Sequence, residues 1–215
     1  SIENISIPSQ LKKIESSAFS STKKLKTVIF PNNTEIEIIE ERAFEFSSIN
    51  SIKYPDNLTT IEKDVFLVCD KLNSIQFTPN SKLTKIKRAA FAGSNIIEIR
   101  IPSHVKTIGF DAFARCENLK TVIFDKDSEL TKIKCGAFQN SGIEKIIIPR
   151  HVKLIFPCAF SNCINLTKVE FQPNSELETI YDLTFNSISA QKIQIPKSVK
   201  KIIGSSFAKN ANLIE

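Results

Sequence analysis

Apolar residues recur along this chain in a fixed frame that is anchored by a phenylalanine. An isoleucine always stands five residues before the anchor, an aliphatic residue stands eight before it, and the residue directly before it is Ala, Val, Thr or Ser. The spacing between anchors alternates between 25 and 22 residues, which gives nine units and a super-period of 47. The anchors are Phe19, Phe44, Phe66, Phe91, Phe113, Phe138, Phe160, Phe185 and Phe207.

Each anchor is followed by a short alternation of apolar and polar residues, as in Leu119, Val122 and Phe124. This alternation predicts a β-strand that buries one face. Because proline cannot donate to a sheet ladder, we expect the strand to end, and the chain to turn, where a proline follows it. Every second unit has this proline directly after the strand, at Pro8, Pro55, Pro102, Pro149 and Pro196. The longer units end the strand with Phe30, Phe77, Phe124 and Phe171 instead.

These units predict a solenoid. A unit of 22 or 25 residues cannot bury its own apolar side, but stacked units share one core and pair their strands in a parallel sheet. We expect about nine rungs. Each rung should also contain a short extended piece after the corner and a short helical or 3₁₀ turn around the anchor. With rungs about 4.8 Å apart, the body should be about 45 Å long.

The stretches "LKTVIFDKDSELTKIKCGAF" and "IEKIIIPRHVKLIFPCAF" resemble the BspA-like class of leucine-rich repeats, and the resemblance covers essentially the whole chain. It implies a leucine-rich-repeat solenoid whose parallel sheet lines the concave side. It also implies a non-enzymatic surface protein that adheres to host cells, matrix proteins or other microbes. With only 5 glycines and many Lys, Ile and Asn residues, the chain looks more like a protozoan member than a bacterial one.

We interpret residues 1–215 as a single solenoid domain and as a fragment of a longer protein. The chain contains no Met, opens inside a strand pattern and stops where the next strand would start. We therefore expect further repeats or flanking domains, or end-to-end self-association of the isolated chain. No apolar run approaches the roughly 20 residues that span a bilayer, so any membrane association is expected to come from segments outside this chain.

The face predicted to bind a partner is the exposed side of the main strands, where side chains flanking the middle apolar position point away from the core. One column stacks three lysines on successive rungs, and the parallel column exposes two isoleucines. A basic ladder beside apolar residues suits a protein or an anionic glycan, including host matrix or cell-surface ligands. The alternative is that these residues merely suit exposed strand positions. The candidate residues are Lys53, Arg100, Thr121, Ile123, Lys145, Ile147, Lys168 and Lys192.

The net charge of +6, from 29 Lys+Arg and 23 Asp+Glu, is modest for 215 residues. Positive and negative residues interspersed over a solvated surface account for this net charge, before the positions of the charged residues are considered. A nucleic-acid binder is not expected, because the exposed columns carry no aromatic row on which bases could stack.

The cysteines are interpreted mainly as packing residues. Three of them stand three residues after an anchor at the 47-residue super-period, where other units have mostly small residues: Cys69, Cys116 and Cys163. Two rungs separate them by about 10 Å, too far for a disulfide. Cys135 and Cys158 lie on adjacent rungs, and a disulfide between them is the less favoured alternative. Five cysteines leave at least one thiol free.

His104 and His151 occupy equivalent corners two rungs apart, which makes a shared metal ion improbable. The chain has no nucleophile elbow, P-loop, dinucleotide fingerprint or CxxC motif, so we predict neither an enzyme nor a bound cofactor. Glycosylation sequons weakly favour a cell-surface or secreted location. They begin at Asn4, Asn32, Asn57 and Asn165. The rival hypothesis is a cytoplasmic scaffold or an enzyme-regulating repeat protein.

Overall fold

The strands of this protein follow its repeat. A computed structural model describes residues 2–210, which wind into successive rungs built from 17 short strands, numbered here in chain order. The main strands are β1 (Asn4–Ser6), β3 (Thr27–Ile29), β5 (Ser51–Lys53), β7 (Ser74–Gln76), β9 (Glu98–Ile101), β11 (Thr121–Phe124), β13 (Lys145–Ile148) and β15 (Lys168–Phe171). In the ninth rung, Ile193 continues this series as an isolated bridge to Val169.

A second series of two-residue strands follows the corners. It comprises β2 (Lys13–Ile14), β4 (Ile38–Ile39), β6 (Thr60–Ile61), β8 (Lys85–Ile86), β10 (Thr107–Ile108), β12 (Lys132–Ile133), β14 (Leu154–Ile155), β16 (Thr179–Ile180) and β17 (Lys201–Ile202). All pairings in both series are parallel, and the register places equivalent positions side by side. Thr121, for example, pairs with Glu98 on one side and Lys145 on the other. The predicted parallel-strand solenoid of about nine rungs is confirmed.

The nine anchor phenylalanines form one continuous stack through the core. Successive ring centroids lie 5.2–5.7 Å apart, and the ring planes differ by 15° at most. The seven inner rings, from Phe44 to Phe185, are fully buried. The isoleucine five residues before each anchor is also buried in the first eight rungs, whereas Ile202 in the last rung is 52% exposed. The neighbouring rungs therefore exclude solvent from the core residues of each rung.

The predicted helical or 3₁₀ turns around the anchors are wrong, because no helix occurs within residues 2–210. Around Phe113 the N–H groups of Asp111, Phe113 and Arg115 donate to carbonyls of the next rung at 2.7–3.0 Å. The intervening Ala112 and Ala114 donate to carbonyls three residues back in their own rung. A helix would keep all of these donors within one segment. Three of these five donors instead form a ladder between rungs.

This alternation places two left-handed backbone positions in each of the first eight rungs, two residues before and two residues after the anchor. Most of the residues there are not glycine. Val68 has a φ of 51° and Gly93, at the equivalent position of the next rung, has a φ of 68°. A β-branched residue with positive φ is a strained exception. The hydrogen-bond ladder between rungs therefore offsets the conformational free energy that non-glycine residues lose by adopting a left-handed backbone.

The rungs are grouped in couples. Main-strand registers span three or four residue pairs within a couple, as between β9 and β11, but β3–β5 and β11–β13 share only one pair. β7 and β9 share no ladder. The second rung of each couple has a corner two residues longer, and the segment between the preceding anchor and its main strand is one residue longer. Within a couple the corners share a backbone bond at their middle, such as that from the N–H of Glu129 to the carbonyl of Ser103, whereas the bonds across the boundary, such as that from the N–H of Lys106 to the carbonyl of Thr84, lie beside the short strands. The super-period of 47 residues is thus a structural unit of two rungs.

Replacing Phe113 by Ala should destabilise the array by about 3–5 kcal/mol, because it leaves a cavity inside a fully buried stack. Phe207→Ala is the matched control, since this ring is only partly buried at the end of the stack. Denaturant unfolding should show a much larger loss for the Phe113 variant and a broader transition as the array divides. Equal losses for both variants would contradict a continuous spine.

Val68→Asn should stabilise the protein by about 0.5–1 kcal/mol, because Asn tolerates a left-handed backbone better than Val. Asn140 and Asn162 already occupy this position in later rungs with φ of 57°. The reverse control, Gly93→Val, should destabilise, since its new Cβ would lie 3.3 Å from Cγ2 of Val68. Thermal unfolding of the two variants should shift in opposite directions. A lower melting temperature for Val68→Asn would contradict this account.

Candidate functional site

The open face of the main sheet carries most of the side chains predicted to meet a partner. Lys145 pairs in register with Lys168, and the bridge between Val169 and Ile193 places Lys192 beside Lys168. The predicted lysine ladder is therefore continuous over three rungs. The exposed predicted residues are Lys53, Arg100, Lys145, Ile147, Lys168 and Lys192. Thr121 and Ile123 are only half-exposed, so the exposed apolar residues of this face are Ile147 and, at the other end of the array, Ile29, each with half of its surface accessible.

Ion pairs divide the basic residues of this face into two groups. Nη1 of Arg100 lies 2.6 Å from Oδ1 of Asp125, and Nζ of Lys168 lies 2.9 Å from Oε1 of Glu170. Within residues 2–210, no acidic side chain lies within ion-pairing distance of Lys53, Lys145 or Lys192. These three ammonium groups are consequently the ones that can bind an external anion without first breaking an ion pair.

Three grooves open on or beside this face, each at a boundary between couples. The first, of about 260 Å³, lies between rungs two and three and includes Phe30. The second, of about 450 Å³, lies between β7 and β9 and includes Phe77. The third, of about 560 Å³, lies between rungs eight and nine and includes Phe171 and Ile147. Missing ladder bonds and longer corners at these boundaries account for the grooves.

The two histidines make the same contact in two couples. Nδ1 of His104 lies 2.8 Å from Oε1 of Glu129, and Nδ1 of His151 lies 2.7 Å from Oε1 of Glu176. These contacts, with a nearby lysine in each case, lower the pKa of both glutamates below the usual value. No group of three or more metal-ligating side chains occurs in the described part of the chain. The pairs are repeat copies that join successive corners within a couple.

All five cysteines carry free thiols. Sγ of Cys69, Cys116 and Cys163 donates to the carbonyl of the anchor in the preceding rung at 3.0–3.1 Å. Burial raises the pKa of Cys69 and Cys163 to about 11 and that of Cys116 to about 12. The packing role inferred for these three residues therefore includes a hydrogen bond. The alternative disulfide between Cys135 and Cys158 is not formed, and both residues are half-buried.

The predicted glycosylation sites lie on the surface. Asn32, Asn57 and Asn165 are all exposed, and the first two line the groove that contains Phe30. Nδ2 of Asn57, the atom that a glycan would occupy, donates to the carbonyl of Thr34 at 3.2 Å. Asn32 and Asn165 are the more accessible candidates.

An aromatic cluster on the second series of strands was missed by the sequence reasoning. Nζ of Lys134 lies 4.3 Å from the ring centroid of Phe156 and 5.6 Å from that of Phe110. The rings of Phe156 and Tyr181 stack with centroids 5.5 Å apart. Three of these residues stand four before their anchors, so tabulating that position along the repeat would have revealed the cluster.

The first rung contains a largely apolar pocket of about 470 Å³. It is lined by Ile2, Ile5, Phe19 and Leu25 among others. This pocket has the chemistry that end-to-end self-association would require, and that association stays a prediction.

The repeat, its parallel strands and its stacked anchors agree with a match to a family model described as the BspA type leucine rich repeat region in six copies. The model matches residues 1–118 and 84–214. The chain belongs to this BspA-type leucine-rich-repeat family. Membership indicates a protein-interaction domain, and neither this match nor the structural relatives indicate a catalytic family.

Solved bacterial structures resemble this BspA-type chain. A leucine-rich repeat protein from Bacteroides ovatus is 29% identical, with a TM-score of 0.86, over 98% of this chain and 56% of its own. The pneumococcal vaccine antigen PcpA is 29% identical, with a TM-score of 0.63, over 94% of this chain and 58% of its own. A leucine rich cell surface protein from Faecalibacterium prausnitzii, 22% identical over 99% of this chain and 72% of its own with a TM-score of 0.52, shares the fold.

The chain thus spans little more than half the length of the first two relatives. All three relatives are bacterial, and the protozoan origin suggested by composition gains no support from them. No curated protein matches the chain. Among residues 2–210 there is no helix long and apolar enough to cross a membrane.

Thiol titration tests the burial of the cysteines. At pH 8 the raised pKa values keep Cys69, Cys116 and Cys163 protonated, and packing shields them from reagent. We expect a thiol reagent to modify only Cys135 and Cys158 in the native protein, and all five residues after unfolding. Labelling followed by peptide mass spectrometry identifies the sites. Native labelling of Cys116 at the rate of Cys158 would contradict the buried assignment.

Proposed function

We propose that this BspA-type domain is a non-enzymatic cell-surface adhesion module that binds a host or matrix protein, or an anionic glycan, through the open face of its main sheet. The observation that carries the proposal is the row of Lys145, Lys168 and Lys192, held in register on consecutive rungs beside exposed Ile147. A preformed sheet can bind a ligand with little loss of backbone entropy. Adjacent cations supply electrostatic attraction, and the isoleucine supplies apolar contact.

Two structural relatives support a location at the cell surface. One is named a cell surface protein and the other a vaccine antigen, as expected for proteins exposed to a host. The exposed sequons at Asn32 and Asn165 are compatible with such a location. Surface localisation of this chain is part of the proposal.

The cytoplasmic scaffold hypothesis is favoured by one observation, the five free thiols. Cytosolic conditions keep thiols reduced, and secreted proteins more often pair them. Mass spectrometry of the native protein separates the two hypotheses. Occupied sequons at Asn32 or Asn165 would support the surface module. Unmodified sequons together with five reduced cysteines would support the scaffold.

Replacing Lys145, Lys168 and Lys192 together by Glu should abolish binding to an anionic ligand found in a screen of glycans and matrix proteins. The matched control replaces Lys85, Lys132 and Lys201, which are exposed on the second series of strands. Both triple variants change the net charge equally, so a general charge effect would weaken both alike. Unchanged affinity in the first variant would remove the lysine row from the proposal.

Single substitutions should rank the three lysines. Glu170 already pairs with Lys168, so Lys168→Glu should weaken binding less than Lys145→Glu or Lys192→Glu. Affinities measured by titration at two salt concentrations check this order. Circular dichroism and thermal unfolding confirm that each variant remains folded.

A further inference from the structure

Two half-buried cysteines occupy adjacent rungs on either side of a boundary between couples. Cys135 lies on the sixth rung, three residues before its anchor, and Cys158 lies on the seventh rung, two residues before its anchor. The main strands of these two rungs, β11 and β13, share only one residue pair. The two thiols therefore lie at a junction that the main sheet holds weakly.

Backbone pairing fixes the alignment of the two cysteines. β12 pairs with β14 in parallel register, and this register continued towards the anchors places Cys135 beside Pro157 and Gly136 beside Cys158. The N–H of Gly136 donates to the carbonyl of Pro157 at 3.1 Å, so the two rungs remain hydrogen-bonded at the cysteines themselves. Cys135 and Cys158 are thus displaced from each other by one rung and one residue.

This displacement suits a disulfide. The anchors of the two rungs, Phe138 and Phe160, stack with centroids 5.2 Å apart. With rungs about 5 Å apart and consecutive Cα atoms about 3.8 Å apart, the Cα atoms of Cys135 and Cys158 are separated by about 6 Å. Disulfides join residues whose Cα atoms are about 4.4–6.8 Å apart. The two residues can therefore be linked without separating the rungs.

The surroundings of Cys158 favour a disulfide over a thiolate. Burial raises the pKa of the Cys158 thiol, and the nearby Asp182 carboxylate, the Cys135 thiol and the Asp111 carboxylate raise it further. An electrostatic effect of one thiol on the other requires that they be neighbours. Gly136, which lies in register with Cys158, adds no side chain between them. A disulfide carries no charge, so the acidic neighbours do not oppose it.

We propose that Cys135 and Cys158 are a redox-sensitive pair that forms a reversible disulfide across the boundary between rungs six and seven. The oxidant is a small disulfide such as oxidised glutathione. The Cys135 thiolate attacks one sulfur of glutathione disulfide, forms a mixed disulfide and releases one glutathione thiolate. Cys158 then loses its proton to solvent, and its sulfur attacks the Cys135 sulfur and releases the second glutathione. Two electrons pass from the cysteine pair to the glutathione disulfide, which leaves as two thiols.

The disulfide links two couples on the anchor side of the array, opposite the weak point of the main sheet. It closes the loop from Cys135 to Cys158, which is one turn of the solenoid, and so reduces the conformational freedom of the unfolded chain. Oxidising surroundings outside the cell close it, and cytosolic reductants open it to the two thiols of this structure. This inference is independent of the ligand-binding face in the proposed function.

The direct test treats the wild-type protein with oxidised glutathione and then with dithiothreitol. Intact-mass spectrometry should show the loss of two hydrogens, and a peptide map without reductant should contain one crosslinked pair, Cys135 with Cys158. Dithiothreitol should reverse both changes. Thermal unfolding should show a melting temperature about 5 °C or more higher for the oxidised protein than for the reduced protein.

Two single variants provide matched controls and test the order of the steps. In Cys158→Ser, oxidised glutathione should leave Cys135 as a mixed disulfide with glutathione. In Cys135→Ser, Cys158 should form its mixed disulfide several-fold more slowly, because burial and the acidic neighbours disfavour its thiolate. Neither variant should gain thermal stability on oxidation. Both serine variants change a half-buried side chain by one atom, so we expect them to fold.

Four results would overturn the inference. Two glutathione adducts on the wild-type chain, without loss of hydrogens, would show that the thiols cannot reach each other. A disulfide between two chains, seen on a gel without reductant, would assign the reaction to association. An unreactive native protein whose unfolded form does react would show that the pair is inaccessible. An internal disulfide that leaves the melting temperature unchanged would show that it does not stabilise the boundary.

Discussion

The stack of nine anchor phenylalanines, with the backbone ladder beside it, is the interaction on which the rest of the structure depends. Ring centroids 5.2–5.7 Å apart set the distance between rungs on the anchor side. The N–H of Phe113 illustrates the coupling, because it donates to the carbonyl of Ala137, the residue beside the next ring in the stack. Ring stacking and backbone hydrogen bonding thus join each rung to the same neighbouring rung. A rung has little core of its own, so stability resides in these contacts between rungs.

The continuous phenylalanine stack is compatible with the grouping of rungs into couples. The anchors remain evenly spaced while the opposite side of each rung alternates between a short corner and a longer one. Two extra residues in every second corner open the boundary to the following rung, and the main-sheet ladder weakens or breaks there, completely between β7 and β9. Grooves open after rungs two, four and eight, and a partly exposed phenylalanine stands in every second rung. The repeat that stabilises the fold also spaces the features of its open face.

Much of this site could be anticipated from single residues, because alternation along a strand decides which side chains leave the core. Lys145, Ile147, Lys168 and Lys192 are exposed as that rule requires. Ile123 obeys the same rule but is half-covered, since exposure also depends on neighbouring rungs. The pairing of Lys168 with Glu170 was not predicted either, because side-chain conformation selects one acidic neighbour among several.

The sequence alone determined the number of rungs, their alternating length, the direction of strand pairing and the identity of the core residues. A period of nine anchors with fixed apolar positions leaves no other way to bury them. Only the tertiary structure decided that the anchor segments are left-handed turns rather than helices. Residues such as Val68 and Arg115 disfavour that backbone locally, and the carbonyls that stabilise it belong to the next rung. Local preference acts within one segment, whereas this hydrogen bonding exists only after two rungs have stacked.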